Sequence, residues 1–275
     1  MTENQLTQST VGVVAICRNE ERDLPGFLEH LLPWVHEIIL VDDGSTDRTI
    51  ELAKNAGSKV TLLAAPRQGD EGYSSQRNKG IAASTSDWLL HLDIDERVTP
   101  KLREEILQAI RSPDKDAYSY HRLNFFLHRP IRGGNWAFYR SLRFARRDKI
   151  FGRKIHEKLM IDEASGRIGR LKSDMWHYNE PTYEMRLKKS LNYTLLEAEV
   201  LLAKDGRITL GQMIFRPLLV FIKTYVVLFG FRDGIAGLIL SLHSAISAFN
   251  TYVLAWDAQN RIPRKKLESE FAELT

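Results

Sequence analysis

Two groups of carboxylates sit where apolar runs end. The first closes Ile38-Ile39-Leu40-Val41-Asp42-Asp43-Gly44-Ser45. The second, about fifty residues later, closes Trp88-Leu89-Leu90-His91-Leu92-Asp93-Ile94-Asp95-Glu96. Alternate side chains of an extended chain share a face, so Asp93 and Asp95 project to one side. Paired oxygen ligands of this kind suit a hard divalent cation, Mg²⁺ or Mn²⁺, held against a substrate's phosphates. A strand end that merely caps the helix opening at Thr99 would account for one acid, not for three among four residues. These residues imply an enzyme acting on a phosphorylated, nucleotide-linked substrate.

Such carboxylates need a scaffold of buried strands. Residues 11–17, 37–41, 59–64 and 87–92 are short runs that predict strands. Between them, residues 24–34 place Leu24, Phe27, Leu28, Leu31 and Leu32 at helical spacing. The turn Asp42-Asp43-Gly44-Ser45-Thr46-Asp47 predicts a helix capped by Ser45 or Thr46 and stopped at Gly57. Residues 73–83 predict a third helix, and Thr99-Pro100 opens a fourth that runs to about Arg111. This alternation predicts a doubly wound, Rossmann-like α/β architecture with a mostly parallel central sheet flanked by helices. Such sheets bind ligands at the carboxyl ends of their strands. After Pro113 the pattern changes. Residues 117–123 and 138–145 predict strands around a loop over 125–136, residues 151–161 a strand pair, and residues 181–203 a long helix. The chain divides accordingly into 1–112, 113–205 and 206–275.

Composition excludes several classes. The 275 residues are 43% hydrophobic and 27% charged, which supports a sizeable core. A net charge of +4 is too sparse for a nucleic-acid interface and suits an anionic small substrate or an anionic membrane surface. The single cysteine, Cys17, lies in the first apolar run and reads as a small core hydrophobe in a reducing compartment. The polar residues 1–10 show no secretory signal, so a cytoplasmic location is expected. Residues 235–256 contain no Asp, Glu, Lys or Arg and are long enough to span a bilayer. His243, Asn250 and several serines weaken that reading. A helical hairpin in the membrane interface, a buried helix and a dimer interface are the other readings. Arg261, Arg264, Lys265 and Lys266 follow directly and suit anionic headgroups.

Four motifs in order carry a family resemblance: the strand and loop over 11–21, Val41-Asp42-Asp43-Gly44-Ser45-Thr46-Asp47, Arg77-Asn78-Lys79-Gly80, and Leu92-Asp93-Ile94-Asp95-Glu96. Together they resemble family 2 glycosyltransferases of the GT-A fold. Ile155-His156-Glu157 and the apolar C-terminal stretch resemble, more loosely, bacterial lipopolysaccharide-core glucosyltransferases. The resemblance implies transfer of a hexose from a nucleotide diphosphate sugar, UDP-glucose in that subgroup, with inversion and with a divalent metal. It also implies that residues 1–112 bind the donor, that 113–205 bind the acceptor, and that 206–275 form a helical, membrane-associated extension at the inner face of the cell membrane.

Residue by residue, the resemblance implies Asp95 as metal ligand, with Asp93 toward the ribose or sharing the metal through water, and Glu96 in support. It implies Asp43 reading the base beside Asp42, Glu20 at the ribose, and Arg77 facing the nucleotide. A sugar hydroxyl needs a general base, and Glu157 is the candidate, with Asp162 and Glu163 in reserve. His156 and His177 are candidates for a further metal ligand. The loop from Arg129 to Trp136 mixes guanidinium and aromatic groups, so Arg129, Arg132 and Trp136 suit a phosphorylated glycolipid acceptor such as lipopolysaccharide core.

Other readings remain open at this point. With a polyprenyl phosphate acceptor, Glu157 would be dispensable. A nucleotidyltransferase would commonly carry a glycine-rich phosphate loop after the first strand, where this chain has Arg18-Asn19-Glu20-Glu21. A non-catalytic nucleotide-sugar or membrane-binding scaffold would not need the full acidic set.

Overall fold

The computed structural model describes residues 9–69, 71–111, 113–152, 158–162, 164, 166–179, 182–204 and 206–274. They form two compact units. The first comprises 1–124 and 138–178, the second 125–137 and 179–275.

In the first unit, β1 (Val11–Cys17), β2 (Glu37–Asp42), β3 (Val60–Ala64) and β4 (Trp88–Asp93) are parallel. β5 (Glu96–Val98), β6 (Ala117–Phe126), β8 (Arg140–Arg146) and β11 (Ile168–His177) extend the sheet in mixed orientation. The order is β3-β2-β1-β4-β8-β6-β11-β5, and β7 (Arg129–Pro130), which belongs to the second unit, pairs with Phe125 and Phe126 at the end of β6. A separate antiparallel pair joins β9 (Phe151–Gly152) and β10 (Lys158–Leu159). α1 (Leu24–Leu31) and α4 (Pro100–Arg111) bury Leu24, Phe27, Leu31, Leu102 and Ile106 against one face of the sheet. α3 (Tyr73–Ala83) covers the other through Ile81, against Val14, Ile39 and Val41. Alternate residues of β1 and β2 thus enter opposite cores, the pattern of strands buried on both faces. A mostly parallel sheet flanked by helices is the GT-A arrangement that the resemblance implies.

The residues at 168–177 carry no sequence signal for a strand, because polar residues and a register shift between Arg170 and Asp174 break the alternation of β11. The first helix after β2 also departs from expectation. α2 spans Thr49–Lys54 and is not capped by Ser45 or Thr46. The Ser45 hydroxyl donates to Asp42 and the Thr46 backbone to Asn19, which leaves Asp47 to accept from Thr49 N at 3.0 Å.

In the second unit, α5 (Tyr183–Leu202) starts at a Thr182 cap. α6 (Leu210–Phe221) starts at a capping box of Thr209 and Gln212, and continues as a π-helical turn, Ile222–Val227. α7 (Gly234–Asn260) and α8 (Arg264–Ala272) follow. Phe126, Ile131, Ala236 and Leu240 form this unit's small core.

Candidate active site

Sheet register assembles the acidic groups. Cys17 at the end of β1 pairs with Asp42 of β2, and Ile16 pairs with Asp93 of β4, so both motifs meet at the carboxyl edge of the parallel strands. The short β5 then pairs antiparallel with β11, setting Glu96 opposite His177. That register brings the His177 Nε2 within 3.1 Å of the Asp95 carboxylate. On its far side, His177 Nδ1 lies 2.7 Å from Asn124 Oδ1. A carboxamide oxygen only accepts, so Nδ1 donates to Asn124, and Nε2 donates to the Asp95 carboxylate when the ring is protonated.

Asp93 lies in different surroundings. Its Oδ1 accepts from Arg77 at 2.7 Å, and its Oδ2 accepts from Arg143 at 2.8 Å and from Arg122 at 3.2 Å. Beside it Glu96, fully buried, accepts from Asp93 N at 3.0 Å and pairs with Arg122 Nε at 2.7 Å. Burial alone would raise the Asp93 pKa, but Arg143, Arg77 and Arg122 outweigh it and hold the carboxyl well below the usual range. Burial also opposes ionisation of Asp95, and the hydrogen bond and charge of His177 outweigh it, so Asp95 is held down as well. Beneath the cluster His91 is buried. Desolvation, with Arg77 and Arg143 nearby, holds its pKa well below the ordinary value and keeps it neutral.

Arg77 reaches Asp93 because α3 packs tightly. A Cβ on Gly80 would lie 2.3 Å from Val14 Cγ1, so glycine there sets the distance between helix and sheet. On the other side of β1, Asp42 closes the turn by accepting from Gly44 N and Ser45 N, each at 3.1 Å, and Gly44 takes the left-handed φ of +84° that the turn requires. Asp43 is buried and held by Arg67, which donates N at 2.7 Å and Nε at 2.8 Å to its two oxygens. Glu20 follows β1. Burial, then the charges of Asp95, Asp23, Asp47 and Asp93, push its carboxyl up to about 7.

The first unit thus brings together Glu20, Asp42, Asp43, Arg77, Asp93, Asp95 and His177 of the sequence-derived candidates. Arg129, Arg132 and Trp136 belong to the second unit. There Asp233 accepts from Arg132 N and Gly133 N, Gly134 N donates to Leu228 O, and Arg186 lies over the Trp136 ring. His156, Glu157 and Glu163 lie outside the described residues. Asp162 accepts from Ala164 N. Sequence reasoning missed Arg67, Arg122, Arg143 and Asn124. They sit in no motif, and only strand pairing brings the last three to the acidic edge.

A divalent metal fits this donor set. Asp95 and His177 present one oxygen and one nitrogen side by side, and among the described residues no third His, Cys, Asp or Glu joins them. Two protein ligands leave the remaining positions to substrate phosphates and water, as hard cations in phosphate-handling sites commonly arrange.

Comparisons with known proteins identify the family. The profile of Glycosyl transferase family 2 matches residues 12–174. A lipopolysaccharide core biosynthesis glycosyltransferase, LpsC, of Rhizobium meliloti (strain 1021) is 27% identical over 244 residues, covering 86% of this chain and 88% of its own. An uncharacterized glycosyltransferase of Rickettsia typhi (strain ATCC VR-144 / Wilmington) is 23% identical over 256 residues, covering 87% and 84%. Glucosyl-3-phosphoglycerate synthase from Mycobacterium tuberculosis, solved with Mn²⁺, uridine diphosphate and glucosyl-3-phosphoglycerate, gives a TM-score of 0.49. It is 16% identical over 69% of this chain and 78% of that one. The family match takes in both acidic motifs and more than half of the sequence, and the chain belongs to glycosyl transferase family 2.

Proposed function

We propose that this glycosyltransferase moves a hexose from UDP-glucose, with inversion and with a divalent cation, to a lipid-linked anionic saccharide such as lipopolysaccharide core at the cytoplasmic face of a membrane. The observation that carries the reading is Asp95 paired with His177 beside the ion-pair cluster of Arg77, Arg122 and Arg143. Three guanidinium groups (Arg77, Arg122, Arg143) face three carboxylates (Asp93, Asp95, Glu96), so the strand edge is balanced and carries no excess charge of its own. A divalent cation at Asp95 would supply the positive charge that a diphosphate needs there. The acceptor class is supported by the lipopolysaccharide core relative.

In this reading Glu20, Asp42 and Asp43 shape the nucleoside end of the site, and Arg67 fixes the Asp43 carboxylate. Arg77 orients the diphosphate while Asp93 holds the guanidinium in place. Asp95 and His177 would hold the cation, which when bound stabilises charge developing on the departing diphosphate. The acceptor hydroxyl attacks the anomeric carbon opposite the leaving group and gives its proton to Glu157, the base that the sequence supplies. Arg129, Arg132 and Trp136 receive the anionic acceptor.

The test is transfer itself. UDP-glucose, UDP-galactose and UDP-N-acetylglucosamine are each offered with a deacylated anionic core oligosaccharide and Mn²⁺. The product is read by mass spectrometry, and the anomeric configuration by NMR. One hexose added with inverted configuration is expected from UDP-glucose. Glu157→Gln is expected to retain thermal stabilisation by UDP and to lose about a hundredfold or more in transfer. Near-normal turnover by that variant would remove Glu157 as the base and favour a phosphate acceptor.

A further inference from the structure

The second unit leaves a broad apolar surface uncovered. On α7, Ile235, Leu242, Ile246, Phe249 and Trp256 are between 44 and 77% exposed. They recur at three-, four- and seven-residue steps and therefore share one helix face, with no charged residue between Ile235 and Trp256. α6 exposes Leu210, Ile214, Phe215 and Leu218 to a similar degree. Apolar surface on this scale marks contact with lipid or with another protein.

Charge decides between the two. Residues 206–275 hold eight Arg and Lys side chains against five carboxylates, an excess of three positive charges. Asp233 is engaged by the backbone of Arg132 and Gly133, Asp257 by Arg261 and Glu268 by Arg264. A second copy would bring the same positive surface against itself. An anionic bilayer complements it.

By length and composition two helical stretches, Leu210–Val227 and Gly230–Asn260, could cross a membrane, but the charges packed beside them argue against it. The other face of α7 lies against α5: Ser190 and Ser247 hydroxyls meet at 2.9 Å, Thr251 Oγ1 donates to Glu197 at 3.3 Å, and Tyr183 meets His243 at 3.3 Å. On α5, Lys188, Lys189 and Glu199 are exposed, and a spanning α7 would draw them into hydrocarbon. Arg216 and Lys223 are likewise exposed along α6 and its π-helical continuation.

We infer that the second unit is a monotopic bilayer-binding module. α7 lies in the plane of an anionic membrane, with the stripe from Ile235 to Trp256 at the acyl boundary and the flanking basic side chains on lipid phosphates. This deepens the membrane part of the proposed function, and its test does not depend on the transfer chemistry.

The full chain is sedimented with vesicles of phosphatidylcholine alone or with about one-third phosphatidylglycerol. The expected result is binding to the anionic vesicles, weakened by salt. Leu242→Ser/Ile246→Ser/Phe249→Ser is expected to bind at least tenfold more weakly. Arg264→Gln/Lys265→Gln/Lys266→Gln is expected to lose roughly fivefold per charge removed. All these residues are exposed, and unchanged urea unfolding confirms that the variants fold. Trp256 fluorescence, with Trp256→Phe subtracted, is expected to be quenched more by shallow than by deep brominated lipids. Failure to bind anionic vesicles, wild-type binding by the serine variant, or stronger quenching at depth would each overturn the inference. So would a stable dimer, without vesicle binding, that the serine variant dissociates.

Discussion

Asp93 and Asp95 are two residues apart, yet their carboxylates face different partners. Asp93 is neutralised by guanidinium groups, while Asp95 faces an imidazole nitrogen whose other side is fixed by Asn124. In the proposed site Asp95 would take the cation, and Asp93 holds Arg77. Near them Glu20 supplies a pH signature. Its folded pKa of about 7 lies above the ordinary 4.5, so between those values the folded chain keeps a proton that the unfolded chain has released. Stability from this group is full below pH 4.5 and is lost as pH rises toward 7. Glu20→Gln removes the dependence, so its melting temperature is expected to gain on wild type between pH 5 and pH 8. A constant difference across that range would contradict the burial of Glu20 among the acids. At this scale the sequence made the acids legible, because consecutive carboxylates after apolar runs are conspicuous. Their partners were not. Arg122 and Arg143 lie on strands of ordinary composition, and nothing local distinguishes them from solvated arginines.

The turn between β4 and β5 is the element on which the site depends. Arg97 spans it, donating to Ile94 O and Glu96 O and, across to the residue before α1, to Asp23 O. Glu96 closes it from within, through Asp93 N and Arg122. Breaking a buried ion pair by removing one charge leaves the other uncompensated, which costs about 3 kcal/mol or more. Glu96→Gln is therefore expected to lower the free energy of urea unfolding by about that amount. A loss near zero would show that Arg122 is balanced without Glu96. The parallel half of the sheet was legible because buried strands read as apolar runs between helical patterns, and β1 and α3 begin and end where the sequence predicts. β5 and β11 were not, because β5 has three residues and β11 is bulged and partly exposed. Since their pairing creates the contact between Asp95 and His177, the site's least legible elements are those that complete it.

At the scale of the whole molecule the chain is interleaved, for residues 125–137 leave the first unit and belong with the apolar helices. The candidate acceptor loop is thus anchored, through Asp233 and Leu228, in the unit inferred to bind the bilayer. Sequence reading found the apolar stretch, offered an interfacial hairpin among its uses and left open whether it lies on, spans or avoids a membrane; the packing of α5 on α7 and the exposure of Arg216 and Lys223 bear on that choice and are not visible in the sequence. The proposed transfer requires a metal-dependent nucleotide site at Asp95 and His177. The most direct test is calorimetric titration of UDP into wild type, Asp95→Ala and His177→Ala, with and without Mn²⁺. The account predicts that Mn²⁺ tightens UDP binding at least tenfold in wild type and that either variant abolishes the gain. Equal UDP affinity with and without Mn²⁺ in the wild-type protein, or an undiminished gain in Asp95→Ala, would contradict it.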